Sequence, residues 1–274
     1  MLQGKVIIVT GASSGIGLAS VRLFARRGNK LVMAARRLDL LEKLAAGILA
    51  DPATSKDTEI LTVRTDVSVE ADCRSMVEQA LARFGGIDVL INNAGISMRA
   101  LFRDVDLDVL RRLMDVNFWG TVYCTRYALP SILERKGSVV GVISTAGYAG
   151  LPARSGYSAS KFAVRGFLET IRIEHVYDGL HVLVFAPGFT ASNVRIASLT
   201  ADGSPQGASP RDESKMMSAE KVARKLERAI VRRKREVMLT FIARVEMFVK
   251  RHLPRHMDRW AYNYMAKEPG SPLK

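Results

Sequence analysis

The sequence predicts an α/β fold: a Rossmann-type doubly wound parallel sheet of about seven strands with helices on both faces. Three observations predict it. Short apolar runs without in/out alternation recur along the chain, as strands covered on both faces require. Longer segments of helical periodicity separate them, giving a βαβ rhythm. The first run ends in a glycine-rich turn that opens a helix, the arrangement that brings backbone N–H groups to a phosphate. With 274 residues, 48% of them hydrophobic, the chain can bury one large core, and residues 1–274 are read as a single domain.

The elements follow in order. "KVIIVT" (5–10) is the first strand, and the turn after it leads into a helix over Ile16 to Arg27. "KLVMAA" (30–35) precedes a helix from Leu38 to Leu49, and "EILTVRTD" (59–66) precedes one from Val69 to Phe84. "DVLINN" (88–93) leads to a long helical pattern, Leu107 to Glu134. "SVVGVIS" (138–144) comes before the helix Tyr157 to Tyr177, and "HVLVFAP" (181–187) closes the regular alternation. Residues 191–218, rich in Ser, Gly, Pro, Asp and Ala, are expected to form a mobile loop beside the substrate. A helix from Ser218 to Arg232 and a last strand, "EVMLT", complete the domain, and 241–274 read as a basic amphipathic extension.

Charge and cysteine usage narrow the function classes. Residues 221–274 hold fifteen Lys and Arg against five Asp and Glu, so +10 of the net +14 lies in the last fifth of the chain. No zinc-finger, helix-turn-helix or aromatic-rich single-strand motif accompanies this charge, and a nucleic-acid partner is not expected. Cys73 and Cys124 are widely separated and lack metal-site spacing, which excludes a cysteine metal site and fits a reducing compartment. No run of eighteen apolar residues occurs, and a cytoplasmic location is expected, with peripheral membrane contact open.

In "TGASSGIG" (Thr10 to Gly17) the candidate phosphate contacts are Gly11, Ser13, Ser14, Gly15, Ile16 and Gly17. The second strand ends in "AARR". Ala35 stands where an acid would bind the ribose 2′-hydroxyl of NAD, and Arg36 with Arg37 suits a 2′-phosphate, so NADP(H) is the expected cofactor. "YSASK" places Tyr157 and Lys161 four residues apart, on one helix face.

These motifs together resemble the short-chain dehydrogenase/reductase superfamily in its single-domain form, from about Lys5 to Thr190. "TGASSGIG" is similar to its TGxxxGxG turn, "NNAG" (Asn92 to Gly95) to its fourth-strand motif and "YSASK" to its YxxxK pair. The resemblance implies a catalytic set of Asn117, Ser144, Tyr157 and Lys161. It also implies cofactor contacts from Asp66, Val67, Asn93, Ala94, Gly95, Tyr157, Lys161, Pro187, Gly188 and Thr190, with Asp66 either at the adenine or capping a helix. Tyr157 would exchange a proton with the substrate oxygen while the nicotinamide exchanges a hydride. A free phenol titrates near 10, so lowering it by about three units takes ~4 kcal/mol of preferential phenolate stabilisation, a role expected of Lys161. Ser144 would bond the carbonyl oxygen, and Asn117, on a long helix, would hold a water leading from Lys161.

Substrate and partners are less specified. The resemblance implies that Ile96, Met98, Tyr148 and Leu151 border the substrate, and their apolar character favours a hydrophobic ketone or secondary alcohol, lipid-like or steroid-like. In the extension Phe241, Ile242, Val245, Phe248, Val249 and Leu253 recur at helical intervals, with Arg244, Lys250, Arg251, Arg255 and Arg259 before Trp260, Tyr262 and Tyr264. Contact with an anionic membrane, a cover over the substrate cleft and packing on another subunit are all compatible with this pattern. The extension resembles tails of 11β-hydroxysteroid dehydrogenase-like and other lipid-acting reductases. The superfamily implies a homodimer or homotetramer. A 3-ketoacyl-carrier-protein reductase is the alternative enzyme, and a non-catalytic NADP-sensing protein the alternative of another class.

Overall fold

The computed structural model describes residues 1–190, 194–209, 212, 216–240, 245, 249 and 252–273. Seven strands form one sheet in the order β3-β2-β1-β4-β5-β6-β7. They are β1 (Val6–Thr10), β2 (Lys30–Ala35), β3 (Glu59–Arg64), β4 (Val89–Asn92), β5 (Ser138–Val142), β6 (His181–Ala186) and β7 (Glu236–Met238). Every neighbouring pair is parallel. The chain order reverses between β1 and β4, and the crevice at that switch point, beyond the strands' carboxyl ends, is where such sheets hold ligands.

Helices cover both faces because successive strand side chains point to opposite sides. On one face Ile7 and Val9 of β1 and Leu31 of β2 meet Phe24 of α1 (Gly15–Ala25), Leu41 of α2 (Leu38–Leu49) and Leu226 of the helix Ala219–Val231. On the other, Ile8, Val32, Leu90 and Val139 meet Val77 of α3 (Glu70–Phe84), Ala128 of a helix over Gly120–Glu134 and Leu168 of one over Ser155–Glu174. After α3 the chain forms α4 (Leu107–Leu113), α5 (Gly120–Glu134), α6 (Ser155–Glu174) and α7 (Ala219–Val231).

Three differences from the sequence expectation matter. Strands stop up to two residues early, so the motif residues after them sit in loops at the crevice. The long helix expected over Leu107 to Glu134 is interrupted by a π-helical turn, Met114–Trp119, which carries Asn117. Such turns insert a residue and redirect side chains, frequently at functional sites. Cys73 and Cys124, remote in sequence, are both fully buried where α3 packs on α5, with sulfurs 3.6 Å apart. Their mutual hydrogen bond and burial push the Cys124 thiol well above its usual range.

The 191–218 region is only partly described, and among its described residues Leu199 has firm contacts. Leu199 is buried and bridges Met98, with Arg99 N–H donating to the Leu199 carbonyl at 2.8 Å. A last helix, α8 (Pro254–Ala266), buries Met257 and Met265 while Trp260, Tyr262 and Tyr264 remain exposed. Of the apolar and basic set expected here, Phe241, Ile242, Arg244, Phe248, Lys250 and Arg251 lie outside the described residues. No described helix is long and apolar enough to cross a membrane.

Phe24, wholly buried between α1 and the sheet, carries one of the largest side chains of its core. Phe24→Ala is expected to lower the unfolding free energy by ~3–5 kcal/mol, read by urea denaturation followed by circular dichroism.

Candidate active site

The glycine turn is shaped by backbone conformation. Gly11 has φ +65°, a left-handed geometry that a side chain resists, and a Cβ there would lie 2.9 Å from the Ala94 Cα. At Gly17 a Cβ would run into the Gly11 carbonyl and stand 2.7 Å from the Asn93 amide nitrogen. Glycine thus lets α1 start directly against β1 and the loop after β4. Ser14 caps α1 with extended backbone and no side-chain bond, and the first turn holds no acid, so its N–H groups stay available to an anion.

Thr10, which ends β1, ties this turn to the neighbouring strand. Its Oγ1 accepts from the backbone N–H groups of Asn93 and Ala94, both at 3.0 Å, and donates to the Ile91 carbonyl at 3.3 Å. Asn93 returns the tie by donating Nδ2 to the Thr10 carbonyl at 2.9 Å and the Gly11 carbonyl at 3.3 Å. Asn93 and Ala94 therefore act first as braces of the turn, and Thr10, absent from the expected contacts, is a member of the same brace. Its place as the first residue of "TGASSGIG" was the available signal.

Arg36 and Arg37 are exposed at the end of β2, and neither forms an ion pair among the described residues. Asp66 accepts from both the backbone N–H and the hydroxyl of Ser68, at 3.0 and 2.7 Å, so its carboxylate shapes the turn into α3. Val67 is buried against Gly120 at the start of α5. Pro187, Gly188 and Thr190 follow β6, where the Thr190 hydroxyl donates to the Gly188 carbonyl at 3.1 Å.

Asn117 clasps the other half of the crevice. Its Oδ1 accepts from Ile96 N–H at 2.9 Å, and its Nδ2 donates to the Ile96 carbonyl at 3.0 Å and to Ser160 Oγ at 2.9 Å. Ser160 Oγ in turn donates to the Tyr157 carbonyl at 2.8 Å. Ser160, one residue before Lys161 and unassigned in the sequence reading, links Asn117 to the helix that carries Tyr157. A Cβ on exposed Gly95 would stand 2.9 Å from Asn117 Oδ1 and 3.3 Å from Lys161 Nζ, so glycine keeps an opening beside both.

Tyr157, Ser144 and Lys161 converge at the ends of β5 and α6. The Ser144 hydroxyl is near enough to Tyr157 to favour its phenolate, and it accepts from Ala146 N–H at 3.2 Å. Lys161, 5% exposed, donates to the Val142 carbonyl at 3.2 Å, and its ammonium lies 5.8 Å from the Tyr157 ring centroid. Burial pushes the Tyr157 phenol above its ordinary range, opposed by the Ser144 hydroxyl and by the positive charges of Arg154 and Arg195. Arg154 and Arg195 thus place positive charge near the phenol, in addition to Lys161 one helical turn along α6. Burial lowers Lys161 itself to about 8.

The apolar side is a separate cluster. Met98, Ala100, Val105, Val109, Leu113 and Leu199 pack together, with Ile96 and the Tyr157 ring against them. Met98, fully buried, and Ile96 belong to this cluster, and Leu151 is half-buried shortly before α6. Tyr148 instead belongs to the sheet core, where it is 5% exposed under the Arg165 guanidinium at 4.2 Å.

This arrangement, a glycine turn at the switch point facing a Ser, Tyr and Lys array across the crevice, is matched by a family model described as "short chain dehydrogenase" over residues 5–202. The chain belongs to the short-chain dehydrogenase/reductase family. It is 35% identical over 255 residues to mouse "Dehydrogenase/reductase SDR family member 7B", covering 92% of this chain and 79% of that protein. To sesame "11-beta-hydroxysteroid dehydrogenase A" it is 36% identical over 282 residues, covering 100% of this chain and 79% of the relative. The X-ray structure of an alcohol dehydrogenase from the archaeon Thermococcus sibiricus, complexed with 5-hydroxy-NADP, superposes with a TM-score of 0.72 at 25% identity. That match covers 86% of this chain and 95% of the archaeal one. The chain is accordingly an oxidoreductase by family, with a nicotinamide nucleotide as its class of cofactor.

The Thr10 brace yields a direct test. Thr10→Val keeps the shape and removes the hydroxyl that two buried-side N–H groups share, so a loss of ~1–3 kcal/mol in urea unfolding is expected. A change below ~0.5 kcal/mol would show that the brace does not hold the turn.

Proposed function

We propose that the protein is an NADP-dependent reductase of hydrophobic ketones, or dehydrogenase of the matching secondary alcohols, with Tyr157 as the group that moves the proton. The observation that carries this reading is Tyr157 packed at the edge of an apolar cluster, with buried Lys161 one helical turn away and its ammonium 5.8 Å from the Tyr157 ring centroid. The cofactor fits the residues present. The glycine-walled turn and uncapped start of α1 suit a pyrophosphate, the exposed Arg36 and Arg37 suit a 2′-phosphate, and Gly95 leaves room beside Lys161. When bound, the nicotinamide supplies or accepts the hydride.

The chain's own residues account for the rest. Ser144 donates to the substrate oxygen and stabilises the charge that grows on it. Tyr157, kept protonated by burial, delivers its proton to that oxygen in the reducing direction. Lys161 holds positive charge next to the phenol at pH values below about 8. Met98, Leu199 and their neighbours present no charge, which favours an apolar carbonyl compound.

Tyr157→Phe is expected to cut NADPH-dependent turnover of hydrophobic ketones by at least about 10²-fold while NADPH affinity, read by fluorescence titration, stays within about threefold. Retained turnover would remove Tyr157 from the mechanism. Arg36→Ala is expected to weaken NADPH about 10- to 100-fold and leave NADH almost unchanged, the loss of one charge-assisted contact. Equal losses for both cofactors would contradict the 2′-phosphate assignment.

The pH dependence follows from burial. Because Lys161 is lowered to about 8, its charge is present below that pH and lost above it. For reduction, kcat/KM for NADPH reports the unliganded chain, and it is expected to be level below pH about 8 and to fall above it. A profile level to pH 10 would show that this titration does not control the reaction.

A further inference from the structure

Beyond the crevice, the C-terminal tail makes the most buried ion pairs among the described residues. Glu268 follows α8 and is 7% exposed. Its Oε2 lies 3.1 Å from Arg154 Nη2 and 3.7 Å from Arg99 Nε, and the three side chains are 4%, 12% and 9% exposed. Arg99 also donates Nη2 to the Pro269 carbonyl at 2.6 Å. The tail has its own turn: Ser271 N–H donates to the Glu268 carbonyl at 3.0 Å, and Ser271 Oγ to the Met265 carbonyl at 2.9 Å.

The two arginines belong to the loops that border the site. Arg99 follows Met98 in the loop after β4, and its N–H donates to the Leu199 carbonyl at 2.8 Å. Arg154 stands at the start of α6, three residues before Tyr157, and its charge is felt at the phenol. Ala100 N–H donates to the Ala153 carbonyl at 3.0 Å, joining the two loops directly beside the ion cluster. Without the carboxylate, two guanidiniums with little access to water would face each other across that joint. Removing one partner of a buried ionic group strongly destabilises its surroundings, because the remaining charge is left uncompensated.

We propose that Glu268 is a positioning residue for substrate: its carboxylate, held between Arg99 and Arg154, latches the tail onto the Met98 loop and the start of α6, which carries Tyr157, and fixes the apolar wall between them. The proposal rests on the oxidoreductase reading for its kinetic consequence and on geometry alone for the latch. Substrate binding depends on the wall, and the proton and hydride chemistry depends on Tyr157, Ser144 and the cofactor. Loss of the latch therefore acts on KM and spares kcat.

The test compares Glu268→Gln, Glu268→Asp and, as a control with a one-unit charge change of opposite sign on an exposed neighbour, Lys267→Gln. Glu268→Gln is expected to speed amide hydrogen exchange in 96–101 and 148–158 at least about fivefold. Its KM for a hydrophobic ketone should rise at least about tenfold with kcat within about threefold. Glu268→Asp should recover most of both, and Lys267→Gln should change neither. Should Glu268→Gln fail to fold, Arg99→Lys keeps the charge, alters the bond to Pro269 and makes the same comparison. Unchanged exchange in the two loops, or loosened loops with an unchanged KM, would overturn the proposal. Absence of wild-type turnover on every ketone would count against the oxidoreductase reading alone, and the exchange comparison would still decide the latch.

Discussion

The side chain of Asn117 holds three parts of the molecule in one geometry. It pairs with both backbone groups of Ile96 and with Ser160, which is bonded to the Tyr157 carbonyl. The loop after β4, the π-helical turn and α6 are therefore set relative to each other by one amide that is 1% exposed. Buried polar networks of this kind are costly when broken, since each group loses water and gains nothing in exchange. The π turn is what aims Asn117 inward: an unbroken α-helix from Leu107 would carry the side chain round to a different direction.

A second brace works in parallel on the opposite wall of the crevice. Thr10 and Asn93 join β1 to the loop after β4 through side chain and backbone together. The loop from Asn93 to Ile96 is thus held at one end by the glycine turn and at the other by Asn117. Cofactor-side and proton-side residues share this loop, so the spacing between them is set by hydrogen bonds to rigid elements and not by the loop itself.

Much of this was legible in the sequence, for identifiable reasons. Buried parallel strands must read as continuous apolar runs, so all seven were visible and only their ends were misplaced. The glycine turn was visible because Gly11 needs a positive φ and Gly17 a bare Cα. Tyr157 and Lys161 were visible as a pair because helical spacing is local.

What the sequence hid depends on direction and on long-range contact. Proximity to Ser144 in sequence placed Tyr148 at the substrate, yet its ring turns into the core beneath Arg165. Helix spacing shows Lys161 beside Tyr157, but the positive charge that Arg195 places near the phenol depends on the fold. Cys73 with Cys124, and Glu268 with Arg99, are pairs that no local pattern announces.

The claim at the centre is that Asn117 and Ser160 act as one unit in holding the Tyr157 helix. A double-mutant cycle measures this directly: urea unfolding of Asn117→Ala, Ser160→Ala and the double variant beside the wild type. A coupling energy of at least ~1 kcal/mol, with the double variant little worse than Asn117→Ala, is the predicted result. Losses that add within ~0.5 kcal/mol would contradict the account, because the two side chains would then be holding separate parts of the crevice.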